Sequence, residues 1–235
     1  MNGAADPEIW DWGYAREALP ALLDGLVVTL QATALACVFA LVVGMVWAVL
    51  RRSERRAVRG TARWIVEAVR STPLLVQLYF IFYVFPEIGM VLSPLVAGVL
   101  GLGLHYSAYV AEVYRSGIDG VPRGQWEAAR ALNLTRSQTF RRVILPQAIP
   151  PTIPALGNRL IAIFKDSPLL AVITVTELLR QAKLLGAEHF RYLEPMTLVG
   201  AIFLVLSLAS SRLVRRVERW TGRLGWAPAG GGTAS

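Results

Sequence analysis

Residues 25–50 read GLVVTLQATALACVFALVVGMVWAVL, without a single charged side chain. A helix needs about 20 mostly apolar residues to cross the hydrocarbon of a bilayer, so this run is long enough to span. A secretory leader starts basic and has a shorter apolar centre. The residues before this run are acidic and the run is too long, so it reads as a retained span. Composition agrees: 54% of residues are hydrophobic and 17% charged, where a soluble domain carries about a quarter charged. That excludes a disordered chain, argues against a water-soluble enzyme and points to an integral membrane protein.

Working outward, residues 71–86 carry no charge, and extending back to Trp64 takes in Glu67 and Arg70 as a self-paired end. Residues 88–111 form the third uncharged run and 195–211 the fifth. The fourth is interrupted: 143–158 is uncharged, Arg159, Lys165 and Asp166 follow, then 167–176. The expectation is five spans, the fourth broken. Pro168 is expected to break its helix and push Ser167 out of the α region. No internal repeat is visible, against a carrier built from duplicated halves.

The chain carries 24 Lys+Arg against 16 Asp+Glu, but in short clusters between apolar runs. That is the pattern of cytoplasmic loops rather than of one nucleic-acid-binding face. Segment 51–63 has six arginines and one glutamate, segment 112–142 has six arginines against three acids, and Arg212, Arg215, Arg216, Arg219 and Arg223 follow the fifth run. Residues 1–20 hold four acids and one arginine. The N-terminus is therefore expected outside and the C-terminus in the cytoplasm. Residues 1–20 form an external segment, with Trp10, Trp12 and Tyr14 at the outer interface. Residues 21–218 form the transmembrane body, with a loop at about 117–146, and 219–235 a cytoplasmic tail, unstructured from Ala227.

That loop reads DGVPRGQWEAARALNLTRSQTFRRVILP over 119–146. Pro122 suits a helix start, Asn133 a left-handed end, and Thr135 with Gln138 a capping box opening a second helix. Pro146 is expected to end that second helix, and Pro150, Pro151 and Pro154 to shape the start of the fourth span. Ala128, Ala131 and Leu132 share a face on which a partner could lie, with Glu127 and Arg130 fixing its register. An amphipathic helix resting on the membrane surface fits this pattern equally.

Glu127-Ala128-Ala129, then Asn133, then Val143-Ile144-Leu145-Pro146 resembles the EAA loop of permease subunits of bacterial ABC importers. The family's usual glycine is Asn133 here and its isoleucine Val143, and asparagine also tolerates the left-handed conformation. Arg70 to Gln77, Ser107-Ala108-Tyr109 with Glu112, Gly124-Gln125-Trp126, and Leu156-Gly157-Asn158 through Lys165-Asp166 are similar to the polar amino acid branch. GLGLHYSAY and TELLRQAKLLG are similar to ectoine/hydroxyectoine permeases.

The resemblance implies an all-α protein of five transmembrane helices with a cytoplasmic two-helix coupling loop, like the type I permeases of ABC importers. It implies a bacterial inner-membrane subunit importing a polar amino acid or related compatible solute. Gly124, Gln125, Trp126, Glu127, Ala128, Ala129, Asn133, Val143, Leu145 and Pro146 would form the ATPase-coupling loop. The implied partners are two ATPase subunits, a second permease (identical or related), an external solute-binding protein and membrane lipid.

No GxxxxGK[ST] phosphate loop is present, so ATP and magnesium would belong to the ATPase partner and this chain would bind no cofactor. No catalytic arrangement is visible. Two histidines and the single Cys37 are too few for a metal site or an intramolecular disulfide. Ionisable or polar residues at span depth are candidates for a translocation path. These are Gln77, His105, Asn158, Arg159, Lys165 and Asp166, though Lys165-Asp166 fits an outer-mouth loop equally. Gly98, Gly101 and Gly103 read as close helix packing. A stand-alone channel, a proton-coupled carrier or a non-transporting scaffold are the other classes to separate.

Overall fold

Small residues decide which face of the first apolar helix is buried. In the computed structural model, which describes residues 9–223 and side chains to Trp220, helix α1 runs Trp12–Leu50. Leu22, Gly25, Thr29, Ala32, Ala36, Ala40, Gly44 and Ala48 recur every three or four residues and are buried. Val38, Val42 and Val49 lie about 60% exposed on the other faces, as lipid-facing side chains should. The helix has 39 residues and so is about 59 Å long, well beyond the apolar run itself.

Then come α2 (Arg56–Ser71), α3 (Leu74–Tyr79), α4 (Pro94–Asp119), α5 (Arg123–Ala131), α6 (Arg136–Gln138), α7 (Leu145–Asp166), α8 (Leu178–His189) and α9 (Leu193–Arg223). Among the described residues α1, α4 and α9 are long and apolar enough to cross a membrane, and α2 with the segment after it gives a fourth only if the broken pair counts as one. The expected count of five is not confirmed. Helix α7 has 22 residues, but Arg159, Lys165 and Asp166 dilute its apolar character. The second run is not one helix either. It stops at Ser71 and restarts at Leu74, because Pro73 is held extended (φ −57°, ψ 137°) and caps α3. Arg70 does not pair with Glu67; its Nη1 reaches Glu112 at 3.4 Å.

Pro146 does not end a helix. Backbone coiling is continuous from Arg136 to Asp166, carrying Pro146, Pro150, Pro151 and Pro154 inside it. A proline ring in a helix clashes with the carbonyl four residues back and leaves it without a donor. Here a wide π turn, Thr139–Ile144, precedes the first proline, and Leu145 N–H reaches Phe140 O, five residues back. The looser turn lets the ring pass. The same device recurs at Phe80–Val84, where Phe85 N–H reaches Phe80 O just before Pro86. At Pro168 the α-helix gives way to a 3₁₀ turn, Ser167–Ile173, so Ser167 stays helical and its hydroxyl donates to Phe164 O at 2.7 Å.

Contacts gather into two units, each contributed to by α1, α4, α7 and α9. The first holds residues 9–39, 72–103 and 163–208. Its core joins Ala18 and Leu22 of α1, Leu178 and Ala182 of α8, and Val199 of α9. A Cβ on Gly98 would lie 2.8 Å from Leu170, and one on Gly101 2.5 Å from Leu78, so both glycines serve close packing. Tyr14 is buried rather than interfacial, donating its hydroxyl to Leu185 O at 2.9 Å, while Trp12 is exposed. Arg191 pairs with the buried Glu194, which also accepts Asp11 N–H at 3.0 Å.

The first N–H groups of α8 are satisfied by side chains. Leu178 N–H donates to Thr29 Oγ1 at 3.0 Å, Leu179 N–H to Glu177 Oε2 at 3.0 Å and Arg180 N–H to Glu177 Oε1 at 2.7 Å. Glu177 is fully buried at this contact.

The second unit holds residues 40–71, 104–162 and 209–223 among those described. Its small core is Val121, Ile144 and Ala148, with Trp126, Phe140 and Val143 packed against it. The expectations for the segment before Ile9 and for the tail from Ala227 lie outside the described residues.

Candidate functional site

The loop between α4 and α7 is built by local rules. Helix α5 ends in a Schellman arrangement: Leu134 N–H reaches Ala129 O at 3.1 Å and Asn133 N–H reaches Arg130 O at 2.9 Å. Asn133 sits at φ +53°, the left-handed position an asparagine tolerates. Thr135 and Gln138 close a reciprocal capping box, with Gln138 N–H on Thr135 Oγ1 and Thr135 N–H on Gln138 Oε1. Gln147 Nε2 donates to Gln125 Oε1 at 3.1 Å, tying α5 to α7.

These caps fix which side chains face out. Ala129 is buried and Trp126 half-buried, while Gly124, Gln125, Glu127, Ala128, Ala131 and Leu132 are exposed. Val143 and Leu145 are half-buried and Pro146 is exposed. Beside the helix lies a groove of about 770 Å³ lined by Arg52, Arg123, Arg130 and Arg136, by Trp126, Leu134 and Phe140, and by Glu127 as its one acid. Arg136 also pairs with Glu54, but both are exposed, so that contact adds little.

A second cavity in the same unit, of about 1120 Å³, is lined by α2, α4 and α7. Its hub is Glu112, whose Oε1 accepts from Arg51 Nη1 at 2.6 Å and from Arg70 Nη1 at 3.4 Å, and whose Oε2 accepts from Arg115 Nε at 2.8 Å. Arg115 and Arg52 also reach the more exposed Asp119 at 2.7 Å. Tyr109 stands beside the hub, with the guanidinium carbons of Arg70 and Arg159 each 5.3 Å from its ring centroid. Glu112→Gln would put an amide N–H₂ against guanidinium donors and leave Arg51, with a side chain 12% exposed, short of its acceptor. The expected cost is about 1–3 kcal/mol, read as a lower thermal unfolding midpoint. An unchanged midpoint would remove the hub from the account of stability.

The candidate path residues fall in both units. Gln77 (on α3, Nε2 donating to Thr72 O at 2.9 Å), Lys165 and Asp166 belong to the first unit, with Lys165 exposed. His105, Asn158 and Arg159 belong to the second. There His105 and Arg159 meet around Tyr109, the His105 and Tyr109 rings being 5.2 Å apart, while Asn158 is exposed. Among the described residues no three His, Cys, Asp or Glu side chains come together as a metal site requires. In the sequence the arginines of α2 read only as a topology signal and a self-paired end. Arg56, Arg59, Arg63, Glu67 and Arg70 are spaced three and four apart on one face, and that period was the available signal.

Among the described residues, three helices long and apolar enough to cross a membrane and a doubly capped, exposed loop between α4 and α7 define the class of helical membrane proteins. The chain belongs to the family of binding-protein-dependent transport system inner membrane components, which it matches over residues 40–223. It is a transport component and not an enzyme. It is 49% identical over 214 residues to the probable amino-acid ABC transporter permease protein y4tG of Sinorhizobium fredii (strain NBRC 101917 / NGR234), covering 89% of this chain and 93% of that one. It is 36% identical over 218 residues to the L-cystine transport system permease protein TcyB of Bacillus subtilis (strain 168), covering 90% and 93%. Among solved structures, a crystal structure of an amino acid ABC transporter with histidines matches with a TM-score of 0.86 and 38% identity, covering 89% of this chain and 98% of that one. The inward-facing MetNI methionine ABC transporter matches with a TM-score of 0.65 at 23% identity, a likeness of fold.

Proposed function

We propose that this chain is the permease subunit of an ATP-driven ABC importer for a polar amino acid or a related zwitterionic solute. The observation that carries this reading is the capped loop, which presents Glu127 and Ala128 outward beside a cationic groove. Kinship with amino acid permeases supports it. Two ATPase subunits dock on the loop at about 117–146, holding ATP and magnesium themselves. Their closure pushes α5 and, through the Gln125–Gln147 contact and the continuous helix behind it, moves α7. Two permeases, identical or related, enclose the path, since so few helices cannot do so alone. An external binding protein delivers the solute.

Five spans, the fourth broken, follow from the apolar runs, and a cytoplasmic loop with the N-terminus outside follows from the arginine-rich segments. Within this class, GLGLHYSAY and TELLRQAKLLG favour ectoine or hydroxyectoine. The test is uptake of labelled ectoine by cells with and without this subunit, competed by hydroxyectoine and by glutamine, histidine or arginine. Loss on deletion with competition by hydroxyectoine alone fixes the narrow substrate, and competition by amino acids moves it to them. Uptake that follows a proton gradient instead of ATP would reject the ABC reading.

A further inference from the structure

The arginine-lined cavity has more positive charge than its own acids can neutralise. Glu112 is already occupied by Arg51, Arg70 and Arg115. That leaves Glu67 as the other acid against Arg56, Arg59, Arg63 and Arg159. Arg59 Nη1 donates to Ser53 O at 2.9 Å, a neutral acceptor. Arg159 rests over the Tyr109 ring, a contact that uses its charge and not its in-plane N–H donors. Arginines that served only to set topology would be as well placed scattered over the surface. Here α2 aligns three of them along one helix face, and α7 brings Arg159 to the same concavity.

We infer that this cavity is a binding site for a phosphate-bearing anion. The guanidinium is a planar fork of donors that matches phosphate oxygens bidentately and stays charged at every relevant pH. Several forks around one concavity favour an anion with more than one charged or strongly accepting oxygen over a single carboxylate. A volume of about 1120 Å³ is ample for a phosphomonoester or a phosphodiester headgroup. The phosphate can be that of an anionic phospholipid or of a soluble compound. The inference rests on the cavity and is independent of which solute the importer moves.

The test uses the full-length chain purified in non-ionic detergent without phosphate. Inorganic phosphate is titrated at constant ionic strength against chloride, with the thermal unfolding midpoint as readout. In parallel the chain is placed in nanodiscs of phosphatidylglycerol or phosphatidylcholine, and retained lipid is counted by native mass spectrometry. Either inorganic phosphate or phosphatidylglycerol should stabilise the chain where chloride and phosphatidylcholine do not, and the arm that does so identifies the source. Arg63→Gln with Arg159→Gln should weaken the effect by roughly tenfold or more. Arg216→Gln, an exposed arginine of α9 outside the cavity, should leave it unchanged. Should the double variant not fold, Arg63→Gln alone should still weaken binding severalfold. No stabilisation in either arm, or equal loss with Arg216→Gln, overturns the inference.

Discussion

Replacing Glu127 with lysine is expected to reduce ATP-dependent uptake by roughly tenfold or more while leaving the chain inserted and folded. Glu127 is exposed on α5 and makes no ion pair among the described residues, so the helix does not depend on it. What it supplies is the one negative charge in a groove lined by Arg52, Arg123, Arg130 and Arg136. Lysine makes that groove wholly cationic, so the ATPase proposed to dock there would meet a positive charge in place of a carboxylate. Uptake and ATP hydrolysis should separate, with hydrolysis persisting in reconstituted vesicles while transport is lost. Wild-type uptake by this variant would end the coupling role. Trp126 is the useful contrast. Its ring packs against Val121, Ile144 and Ala148, so Trp126→Ala should lower the stability of the loop before it touches any docking surface.

The second large effect is expected at Gly117, where α4 and α7 meet. A Cβ there would lie 2.1 Å from Thr152 Cγ2 and 3.0 Å from Ala148 O. Thr152 is β-branched and its hydroxyl donates to Ile149 O at 2.7 Å, so its methyl cannot swing aside freely. The backbone carbonyl cannot move without the helix. Gly117→Ala should therefore cost about 2–3 kcal/mol, at the upper end of overpacking penalties, and depress the yield of folded protein. Adding Thr152→Ser removes the offending methyl, keeps a hydroxyl for Ile149 O and should restore most of the loss. A double-mutant cycle on unfolding midpoints measures this coupling. Additive behaviour, or a tolerated Gly117→Ala, would show that α4 and α7 do not approach as described.

Legibility in the sequence followed range. The caps of the loop between α4 and α7, the left-handed Asn133 and the close-packing role of Gly98 and Gly101 are readable because each depends on residues within a few positions or on one side chain's size. The prolines were misread for the same reason. A local rule stops a helix at Pro146, whereas a π turn upstream and burial of Ile144 and Ala148 hold it together. The second run failed in the opposite sense, since hydropathy averages over a window and does not register that Pro73 restarts the helix. Charge or polarity at span depth marks path candidates one at a time and carries no information on whether Gln77 and Arg159 belong together.

By itself the sequence determined that the chain lives in a membrane, where its apolar helices run, and how its exposed loop is capped. Hydrophobic length and hydrogen bonds spanning three or four residues are properties of the chain alone. Only the tertiary structure decided that Arg51, 61 residues from Glu112, shares it with Arg70 and Arg115. It alone decided that Thr29 caps a helix 149 residues away and that Arg159 joins the arginines of α2 around one cavity. Those juxtapositions arise because glycine and alanine faces let helices approach closely, and the approach then fixes which distant charges must find each other.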